Sequence, residues 1–348
     1  MHVGGTRYRT LWLAEDGRSV HIIDQTRLPG EFRVLCLASV ADAVHAIRSM
    51  QVRGAPLVGV TAAYGICLAL ADDPSDGALD DAHDRLLATR PTAVNLRWAL
   101  DRMASALRSI APHDRVDAAY AVAGELANDD VASCEQIGIH GEQVLDEVWA
   151  RHHRSRPLNV LTHCNAGWLA AIDWGTALAP VYRAHDAGLP IHVWVDETRP
   201  RNQGYLTAWE LAQHGVPHTV IVDNAGGLLM RQGKVDLCLV GTDRTARNGD
   251  VANKIGTYLK ALAARDNGVP FYAAVPSTSI DWTLGSGDSI PIEERDPAEV
   301  HTWPGIAAHN PGFDVTPARL LTGLITERGV CAASEPGLLE LFPERADR

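Results

Sequence analysis

The sequence predicts an α/β protein with two parts: a mostly helical N-terminal domain that carries a small antiparallel sheet, and a C-terminal domain built on a parallel sheet. Two observations predict this division. Helical spacing of apolar residues dominates the first 150 residues, whereas short runs rich in Val, Ile and Leu recur after them. A basic, polar stretch at residues 151–159 separates the two patterns. We therefore expect domains at residues 1–150 and 151–348.

The N-terminal part opens with a predicted hairpin. Residues 9–14 and 19–24 alternate between apolar and polar side chains, and Asp16-Gly17 supplies the turn. The stretch at 55–71 is the most apolar of the chain, but it is short for a membrane span, so we expect a buried helix there. Helices are predicted over residues 41–50, 55–71, 79–87, 93–110 and 116–149.

The C-terminal part has a different pattern of apolar residues, with short runs separated by longer segments. Near-continuous apolarity along its short runs indicates a parallel sheet that is covered on both faces. The segments between the runs are long enough to hold helices, a pattern typical of a Rossmann-like domain. In such a domain, ligands bind at the carboxyl ends of the strands. Strands are predicted over residues 159–164, 191–197, 218–223, 236–243 and 271–276.

Charge limits the kinds of partner. The chain of 348 residues carries a formal net charge of −12 at pH 7. An acidic surface argues against nucleic acid and against anionic membranes, because both attract basic patches. It is compatible with a small phosphorylated ligand, since a few local Arg and Lys side chains can bind one inside an acidic protein.

The cysteines and the N-terminus predict the compartment. The six cysteines form no Cys-x-x-Cys pair and have no zinc-ligand spacing. The first residues are neither apolar nor followed by a cleavage-like site, so no signal peptide is expected. We therefore expect a reduced, cytoplasmic protein without a metal. No nucleotide-binding loop is predicted either, because the glycine-rich segments lack the Gly-x-Gly-x-x-Gly and Gly-Lys-Ser/Thr patterns.

Two chemically competent side chains follow predicted strands. Cys164 stands before a helix-like segment at 167–176, and the N-terminus of a helix lowers the pKa of a thiol. The alternative is a buried, inert cysteine. A pair with His163 is not expected, because adjacent residues at a strand end point to opposite sides. Asp243 ends an apolar run, where partial desolvation would raise the pKa of its carboxyl and suit it to act as an acid. The alternatives for Asp243 are a helix cap and an ion pair with Arg244.

Three further segments have the composition of anion-binding sites. Asn253 and Lys254 are expected in the first turn of a helix over residues 251–264, where backbone N–H groups and a lysine suit a phosphate. Arg53-Gly54 precedes the apolar helix, and Arg90 stands in a similar position before the helix at 93–110. The alternative in each case is an ordinary helix start with a solvated basic side chain.

The chain resembles the methylthioribose-1-phosphate isomerase family in blocks of sequence that run in family order over almost its whole length. The wider superfamily includes regulatory subunits of a eukaryotic translation-initiation exchange factor. The blocks are Arg53-Gly-Ala-Pro, Arg90-Pro-Thr-Ala-Val-Asn-Leu96, Thr162-His-Cys-Asn-Ala-Gly167, Glu197-Thr-Arg-Pro with Gln203-Gly and Leu206-Thr-Ala-Trp-Glu-Leu211, Gly241-x-Asp-Arg, Asn248-Gly-Asp-x-Ala-Asn-Lys-Ile-Gly-Thr-Tyr258, and Asn310-Pro-x-Phe-Asp-Val-Thr-Pro317.

The resemblance implies an aldose–ketose isomerase that converts 5-methylthioribose 1-phosphate to 5-methylthioribulose 1-phosphate in methionine salvage. It implies a homodimer that binds a small phosphorylated sugar and uses no cofactor. By the same resemblance, Cys164 and Asp243 are the catalytic residues. The substrate-binding residues are Arg53, Gly54, Ala55, Arg90, Gln203, Asn253 and Lys254, of which Gln203 is supplied by the resemblance alone.

Two places depart from the family pattern. Residues 224–227 read Asn-Ala-Gly-Gly where Met-Ala-Ala or similar is usual, and Thr242 stands in place of alanine. Because the glycines would reshape the pocket, 5-deoxyribose 1-phosphate is an alternative substrate. A non-catalytic, sugar-phosphate-binding regulatory subunit is the alternative from another class, and the presence of both Cys164 and Asp243 favours the enzyme. The sequence leaves open whether hydrogen moves from C2 to C1 as a proton or as a hydride.

Overall fold

The computed structural model describes residues 1–151 and 153–346. These residues form two compact units. Unit 1 contains residues 1–132 and Trp168–Gly175, and unit 2 contains Ser133–Gly167 and the residues from Thr176 to 346. The chain passes from one unit to the other inside a single helix, Pro112–Arg151, whereas its composition changes only after that helix. The compact units therefore divide the chain within this helix and not at residue 150. The domain boundary expected at residue 150 remains a prediction.

Unit 1 combines small antiparallel sheets with helices. Strands β1 and β2 pair antiparallel, and β3, β4 and β5 form a second antiparallel sheet with Leu11 opposite Ile22 and Val20 opposite Leu37. The predicted hairpin and small N-terminal sheet are therefore confirmed. The elements are β1 (His2–Val3), β2 (Thr6–Arg7), β3 (Leu11–Leu13), β4 (Val20–Ile23), β5 (Val34–Leu37), α1 (Val40–Arg48), α2 (Ala55–Asp72), α3 (Asp76–Leu87), α4 (Val94–Leu107) and the N-terminal part of α5 (Pro112–Arg151).

Helix α2 forms the centre of unit 1. Helices α1, α3 and α4 pack around it, and its side chains are buried almost throughout. Gly59 allows the close approach of α4, because a Cβ at this position would lie 2.8 Å from the carbonyl oxygen of Asn95. Among the described residues, α2 is the one helix long and apolar enough to span a membrane, but 72% of it is buried inside the protein. The expectation of a buried helix is confirmed.

Unit 2 alternates strands and helices. It begins with the C-terminal part of α5 and contains most of the chain's strands. The elements that follow α5 are β6 (Leu158–Thr162), α6 (Ala179–Asp186), β7 (Ile191–Asp196), α7 (Gly204–His214), β8 (His218–Ile221), α8 (Ala225–Arg231), β9 (Leu237–Val240), β10 (Arg244–Ala246), β11 (Val251–Lys254), α9 (Thr257–Asp266), β12 (Phe271–Ala274), β13 (Ile280–Asp281), β14 (Phe313–Thr316), β15 (Gly323–Thr326), β16 (Gly329–Cys331) and α10 (Glu335–Leu341).

A seven-stranded sheet forms the core of unit 2. Its order is β16-β15-β12-β9-β6-β7-β8, and every strand is parallel to its neighbours except the edge strand β16. The chain starts in the middle at β6, builds outward to β8, and then returns to build the other side from β9. The direction of winding therefore reverses between β6 and β9. The predicted α/β fold is confirmed, and the five predicted strands correspond to β6, β7, β8, β9 and β12.

A second, four-stranded sheet of order β13-β10-β11-β14 is absent from the sequence prediction. In it, β11 pairs antiparallel with β14, so that Val251 lies opposite Thr316 and Lys254 opposite Phe313. The predicted helix over 251–264 is therefore wrong in its first part, since α9 begins only at Thr257. The apolar spacing of residues 251–255 is compatible with a helix or a strand. Residues 251–254 form a strand because they pair with β14, which is distant in sequence.

Candidate active site

Cys164 and Asp243 follow the two strands between which the sheet changes direction. Strands β6 and β9 are parallel neighbours, and Cys164 comes shortly after β6 as Asp243 does after β9. A Cβ on Gly241 would lie 2.8 Å from the Cβ of Ala166, so the two segments that leave these strands touch each other. Both residues are thus at the carboxyl edge of the sheet, at the point where open α/β sheets bind ligands.

The backbone of Cys164 is held in an unusual conformation. Its φ of 71° lies in the left-handed region, which residues with a Cβ seldom adopt. Thr198, shortly after β7, has a φ of 63° although it is β-branched. The N–H of Cys164 donates to Oγ1 of Thr198 at 2.9 Å, and the carbonyl of Cys164 accepts from Oγ1 of Thr207 at 2.8 Å. Strain of this kind persists only where the surroundings enforce it, and it concentrates at functional sites.

No long helix follows Cys164, contrary to the sequence prediction. The segment at 167–176, which is described in full, contains a short 3-10 turn at Trp168–Ala170, and α6 begins at Ala179. The N–H groups of Thr176 and Leu178 both donate to the carbonyl of Ala166, so the chain folds back as a loop. The expectation that a helix N-terminus activates the thiol is therefore wrong.

His163 is fully buried and engaged elsewhere. Its Nδ1 lies 2.8 Å from Oδ2 of Asp196, and its Nε2 donates to the carbonyl of Ile255 at 2.8 Å. The ammonium of Lys260 lies 3.2 Å from the same Oδ2. Because both ring nitrogens have partners, His163 is not placed to serve as a base for Cys164, in agreement with the sequence argument.

The same residues raise the question of a metal. Ligand atoms of His163, Asp196 and Asp223 lie within 4.8 Å of one another. However, Oδ2 of Asp196 already faces the Lys260 ammonium, and the two oxygens of Asp223 accept the N–H groups of Thr198 and Arg199 at 2.7 Å each. Lys260 supplies the positive charge that a metal would bring, so the cluster is an ion-pair network and gives a metal no support.

Asp243 emerges onto the second sheet. Its N–H donates to the carbonyl of Ala252 on β11 at 2.9 Å. A strand, β10, follows it, so the helix-cap alternative does not hold. Nη1 of Arg244 lies 3.5 Å from the carboxylate of Asp281, which gives this arginine a partner other than its neighbour. The hydroxyl of Thr242 lies 3.0 Å from Oγ1 of Thr245 and donates to the carbonyl of Ala252.

Asn253 and Lys254 are buried on β11. Nδ2 of Asn253 donates to Oγ1 of Thr257 at 3.1 Å, and Nζ of Lys254 donates to the carbonyl of Gly312 at 2.9 Å. The ammonium also lies 4.5 Å from the centre of the Phe313 ring, a favourable cation–π distance. Both side chains are therefore held in fixed positions before α9 rather than in its first turn.

The N-terminus of α9 is already occupied by a carboxylate. Asp314 accepts the N–H of Gly256 at 2.7 Å and that of Tyr258 at 3.0 Å. Burial raises the pKa of the Asp314 carboxyl, although these two hydrogen bonds act in the opposite direction. The expectation that a phosphate binds at this helix start is wrong, because Asp314 takes the place of the anion.

Gln203 lies at the start of α7, only 5% exposed, and its Oε1 has no hydrogen-bond partner. The next residue, Gly204, packs directly on the end of β7: a Cβ there would lie 1.9 Å from the carbonyl oxygen of Asp196. The close packing at Gly204 fixes the position of Gln203 relative to the strand end. Gln203 thus joins Cys164, Asp243, Asn253 and Lys254 in unit 2.

The remaining predicted residues belong to unit 1. Gly54, with a φ of 96°, is the N-cap of α2, and a Cβ there would lie 2.3 Å from the carbonyl oxygen of Ala170. The N-cap of α4 is Ala93, three residues after Arg90. Neither a glycine nor an alanine side chain can cap a helix, whereas α1 and α3 begin at serine caps.

The two uncapped helix starts are neighbours, since Gly59 of α2 packs on Asn95 of α4. Arg53–Ala55 and Arg90 stand at these two starts, where no side chain caps the first backbone N–H groups. Their participation in the same site as Cys164 stays a prediction.

The departure at residues 224–227 lies at the start of α8. Gly226 is buried, and a Cβ there would lie 3.0 Å from Cδ1 of Leu161 and 3.8 Å from Oδ1 of Asp196. Sequence reasoning missed the network of His163, Asp196 and Lys260 beside it. Part of this network could have been found from the sequence, because polar clusters follow the strands that end near residues 196 and 223.

Comparisons with known proteins identify close relatives. A profile of the initiation factor 2 subunit family matches residues 51–333. A methylthioribose-1-phosphate isomerase of Escherichia coli O45:K1 is 57% identical over 360 residues, which is 99% of this chain and 97% of the relative. A protein of the same name from Paramagnetospirillum magneticum is 60% identical over 366 residues, covering 99% of this chain and all of the relative.

Solved structures agree with these relatives. The crystal structure of 5-methylthioribose 1-phosphate isomerase from Pyrococcus horikoshii OT3 superposes with a TM-score of 0.86 at 40% identity, covering 97% of this chain and 96% of that one. The delta subunit of translation initiation factor eIF-2B from A. fulgidus has a TM-score of 0.83 at 35% identity, covering 97% of this chain and all of that one. The similarity thus extends to enzymes and to translation factors alike.

Proposed function

Since the chain belongs to the initiation factor 2 subunit family, and relatives 57–60% identical over nearly its full length are named methylthioribose-1-phosphate isomerase, we propose that it converts 5-methylthioribose 1-phosphate to 5-methylthioribulose 1-phosphate. The observation that carries the proposal is the position of Cys164 and Asp243 on either side of the sheet's reversal point. This reaction is an aldose–ketose isomerisation and a step of methionine salvage.

The chemistry calls for an acid and for a group that handles hydrogen or charge. The anomeric carbon of the substrate carries a phosphate, so the sugar cannot open spontaneously to an aldehyde. Isomerisation breaks the bond between C1 and the ring oxygen, places a proton on that oxygen, and moves one hydrogen from C2 to C1. The C2 hydroxyl loses its proton and becomes the ketone, so the product is an isomer of the substrate.

Asp243 is proposed to protonate the ring oxygen as the C1–O bond breaks. Cys164 then acts by one of two routes. As a thiolate it removes the C2 proton, which gives an enol phosphate that is reprotonated at C1. Alternatively the C2 hydrogen moves to C1 as a hydride, and Cys164 stabilises the charge that develops. In D₂O the first route leads to deuterium at C1 of the product when the thiol exchanges the abstracted proton with solvent before returning a proton to C1. The hydride route gives no deuterium at C1, so deuterium at C1 identifies the first route.

Substrate binding is proposed for the residues that the family resemblance supplies. Lys254 and Asn253 are held rigidly on β11, and Gln203 carries a buried carbonyl oxygen without a partner. Arg53 and Arg90 stand beside the uncapped starts of α2 and α4, where backbone N–H groups favour an anion such as the sugar phosphate. We propose that both arginines, with Gly54 and Ala55, complete the site.

The wider assignments are also proposals. The strand order of unit 2 supports a Rossmann-like domain. The net charge of −12 supports a protein that binds neither nucleic acid nor anionic membranes. The free cysteines support a reduced, cytoplasmic enzyme. A homodimer follows from the family resemblance, and light scattering of the purified protein tests it.

A second substrate deserves comparison. 5-Deoxyribose 1-phosphate lacks only the methylthio group, and a hydrophobic pocket discriminates such a difference by about 1–3 kcal/mol. The glycines at 226 and 227 lie at the start of α8, next to the end of β7, and this departure from the family pattern motivates the comparison. We propose the methylthio sugar as the better substrate of the two.

The decisive experiment follows ketose formation by the purified protein from both sugar phosphates. The wild type is compared with Cys164→Ala and Asp243→Asn. Turnover that both substitutions abolish establishes the isomerase, and the ratio of kcat/KM values identifies the preferred sugar. Binding of both sugar phosphates without turnover in all three proteins would instead establish a non-catalytic, sugar-phosphate-binding regulatory subunit.

A further inference from the structure

A buried set of ionisable side chains lies next to Cys164 in sequence and in space. His163 is 1% exposed, Asp196 is fully buried and Lys260 is 5% exposed. Oδ2 of Asp196 lies 2.8 Å from Nδ1 of His163 and 3.2 Å from Nζ of Lys260. The chain has only three lysines, and two of them, Lys254 and Lys260, are buried in this one region. Charged side chains are rarely buried in this way unless they are paired.

The network joins the segments that carry the proposed site. His163 immediately precedes Cys164, and its Nε2 donates to the carbonyl of Ile255, the residue after Lys254. The carbonyl of Asp196 accepts from Oγ1 of Thr198 at 3.0 Å, and that oxygen accepts the N–H of Cys164. The ends of β6 and β7 and the turn between β11 and α9 are thus connected through one carboxylate.

The network through Asp196 helps to hold the strained backbone of Cys164 and Thr198. Left-handed φ values at Cys164 and Thr198 persist only if their surroundings hold them. Hydrogen bonds through Asp196 and Thr198 hold Cys164. The preceding residue, His163, packs against Gly256, where a Cβ would lie 3.2 Å from the His163 ring. Lys260 balances the buried charge of Asp196, so its loss would leave this carboxylate with fewer partners.

We propose that His163, Asp196 and Lys260 are positioning residues that hold Cys164 in its reactive conformation. The same residues fix the Asn253–Lys254 end of β11. This role rests on the proposed isomerase function. None of the three is proposed to touch the substrate. The network acts through the backbone of Cys164, because a small displacement of a catalytic group has a large effect on rate.

The test uses Lys260→Met and His163→Gln in the full-length protein. The control is Lys234→Met, the same chemical change at an exposed lysine. Two readouts are taken on each protein: kcat and KM for the sugar phosphates, and the rate at which iodoacetamide alkylates Cys164, measured by peptide mass spectrometry relative to the exposed Cys36. The second readout does not depend on turnover, so failure of the proposed function leaves the positioning test intact.

We expect both variants to lower kcat by about tenfold or more while KM changes by less than about threefold. The alkylation rate of Cys164 relative to Cys36 is expected to rise by about threefold or more, because a released loop exposes the thiol. The buried Cys67 and Cys238 stay unreactive in both variants, which shows that the fold is intact. Lys234→Met matches the wild type in every readout.

Other results overturn the proposal. An unchanged alkylation ratio with unchanged kcat in a folded variant means that the network does not position Cys164. A slower alkylation means that the Lys260 charge acts on the thiolate itself rather than on the position of the loop. If both variants fail to fold, or if Cys67 and Cys238 become reactive together with Cys164, the network serves folding and has no separate role at the site.

Discussion

The N–H of Cys164 donates a hydrogen bond of 2.9 Å to Oγ1 of Thr198, and both residues have a left-handed backbone. The two residues come from loops after neighbouring parallel strands, β6 and β7. The hydroxyl of Thr198 also donates to the carbonyl of Asp196, so it links the Cys164 loop to the end of β7. The Thr198 hydroxyl is therefore one of the groups that hold the proposed catalytic cysteine in place.

Replacement of Thr198 by Val is expected to impair catalysis. Valine keeps the shape but removes the acceptor for the Cys164 N–H, which leaves a poorly solvated donor unpaired at about 1–3 kcal/mol. We expect kcat/KM to fall by about 10- to 100-fold through displacement of the thiol. Thr198→Ser keeps the hydroxyl and should remain close to wild type. Equal activity of the Val and Ser variants would show that this hydrogen bond does not matter for turnover.

Gly54→Ala is expected to disrupt the start of α2. The position has a φ of 96°, and the new Cβ would lie 2.3 Å from the carbonyl oxygen of Ala170. Alanine would be strained at this φ and would clash with Ala170. We therefore expect the substitution to destabilise the protein by about 2 kcal/mol or more, measured as a lower thermal midpoint. The control is Gly124→Ala in α5, where a Cβ meets nothing within 4 Å. The control should be neutral or stabilising by up to about 1 kcal/mol.

Gly227→Ala is expected to stabilise the protein without changing its activity. Gly227 lies inside α8, and a Cβ there would make an ordinary contact of 3.5 Å with Ala263. Replacing a helical glycine by alanine contributes about 0.5–1 kcal/mol. Urea unfolding measures the gain, and the kcat/KM ratio for the methylthio and deoxy sugars should stay as in the wild type. A changed ratio would mean that the departure at residues 224–227 selects the substrate.

Glu299 is expected to make stability depend on pH in the acid range. Burial opposes its ionisation, but hydrogen bonds from Arg295 and Arg201 outweigh this and lower its pKa from 4.5 to about 2. A lowered pKa in the folded state contributes stability that is present above the unfolded value and is lost as pH falls toward the folded one. The contribution is therefore full above about pH 4.5 and disappears toward pH 2.

Glu299→Gln tests this effect. At pH 7 the variant should be less stable than the wild type by about 1–3 kcal/mol, since it loses hydrogen bonds between charged groups. The difference in the free energy of unfolding, measured with urea, should shrink as the pH is lowered from 4.5 toward 2. Glu15→Gln, at an exposed carboxylate, serves as the control. A difference that is the same at pH 7 and pH 3 would contradict the assignment.

The sequence predicted the elements whose patterns are local. The apolar run at α2, the hairpin of β3 and β4, and the Val- and Ile-rich strands β6 to β9 were all found near their predicted positions. Residues 251–254 were misassigned, because their pairing partner on β14 lies far away in the sequence. The prediction of a helix after Cys164 was wrong for a similar reason. The carbonyl of Ala166 accepts hydrogen bonds from the N–H groups of Thr176 and Leu178, and composition does not predict this turn.

The amino-acid sequence by itself determined the α/β class, the strand-end location of Cys164 and Asp243, and the family resemblance, because each depends on residue types and their spacing along the chain. Only the tertiary structure decided that β6 and β9 flank the reversal of the sheet, that Asp314 rather than a phosphate occupies the start of α9, and that His163, Asp196 and Lys260 form one buried network. These features depend on contacts between residues that are distant in sequence, and such contacts are set by strand order and packing rather than by any local pattern.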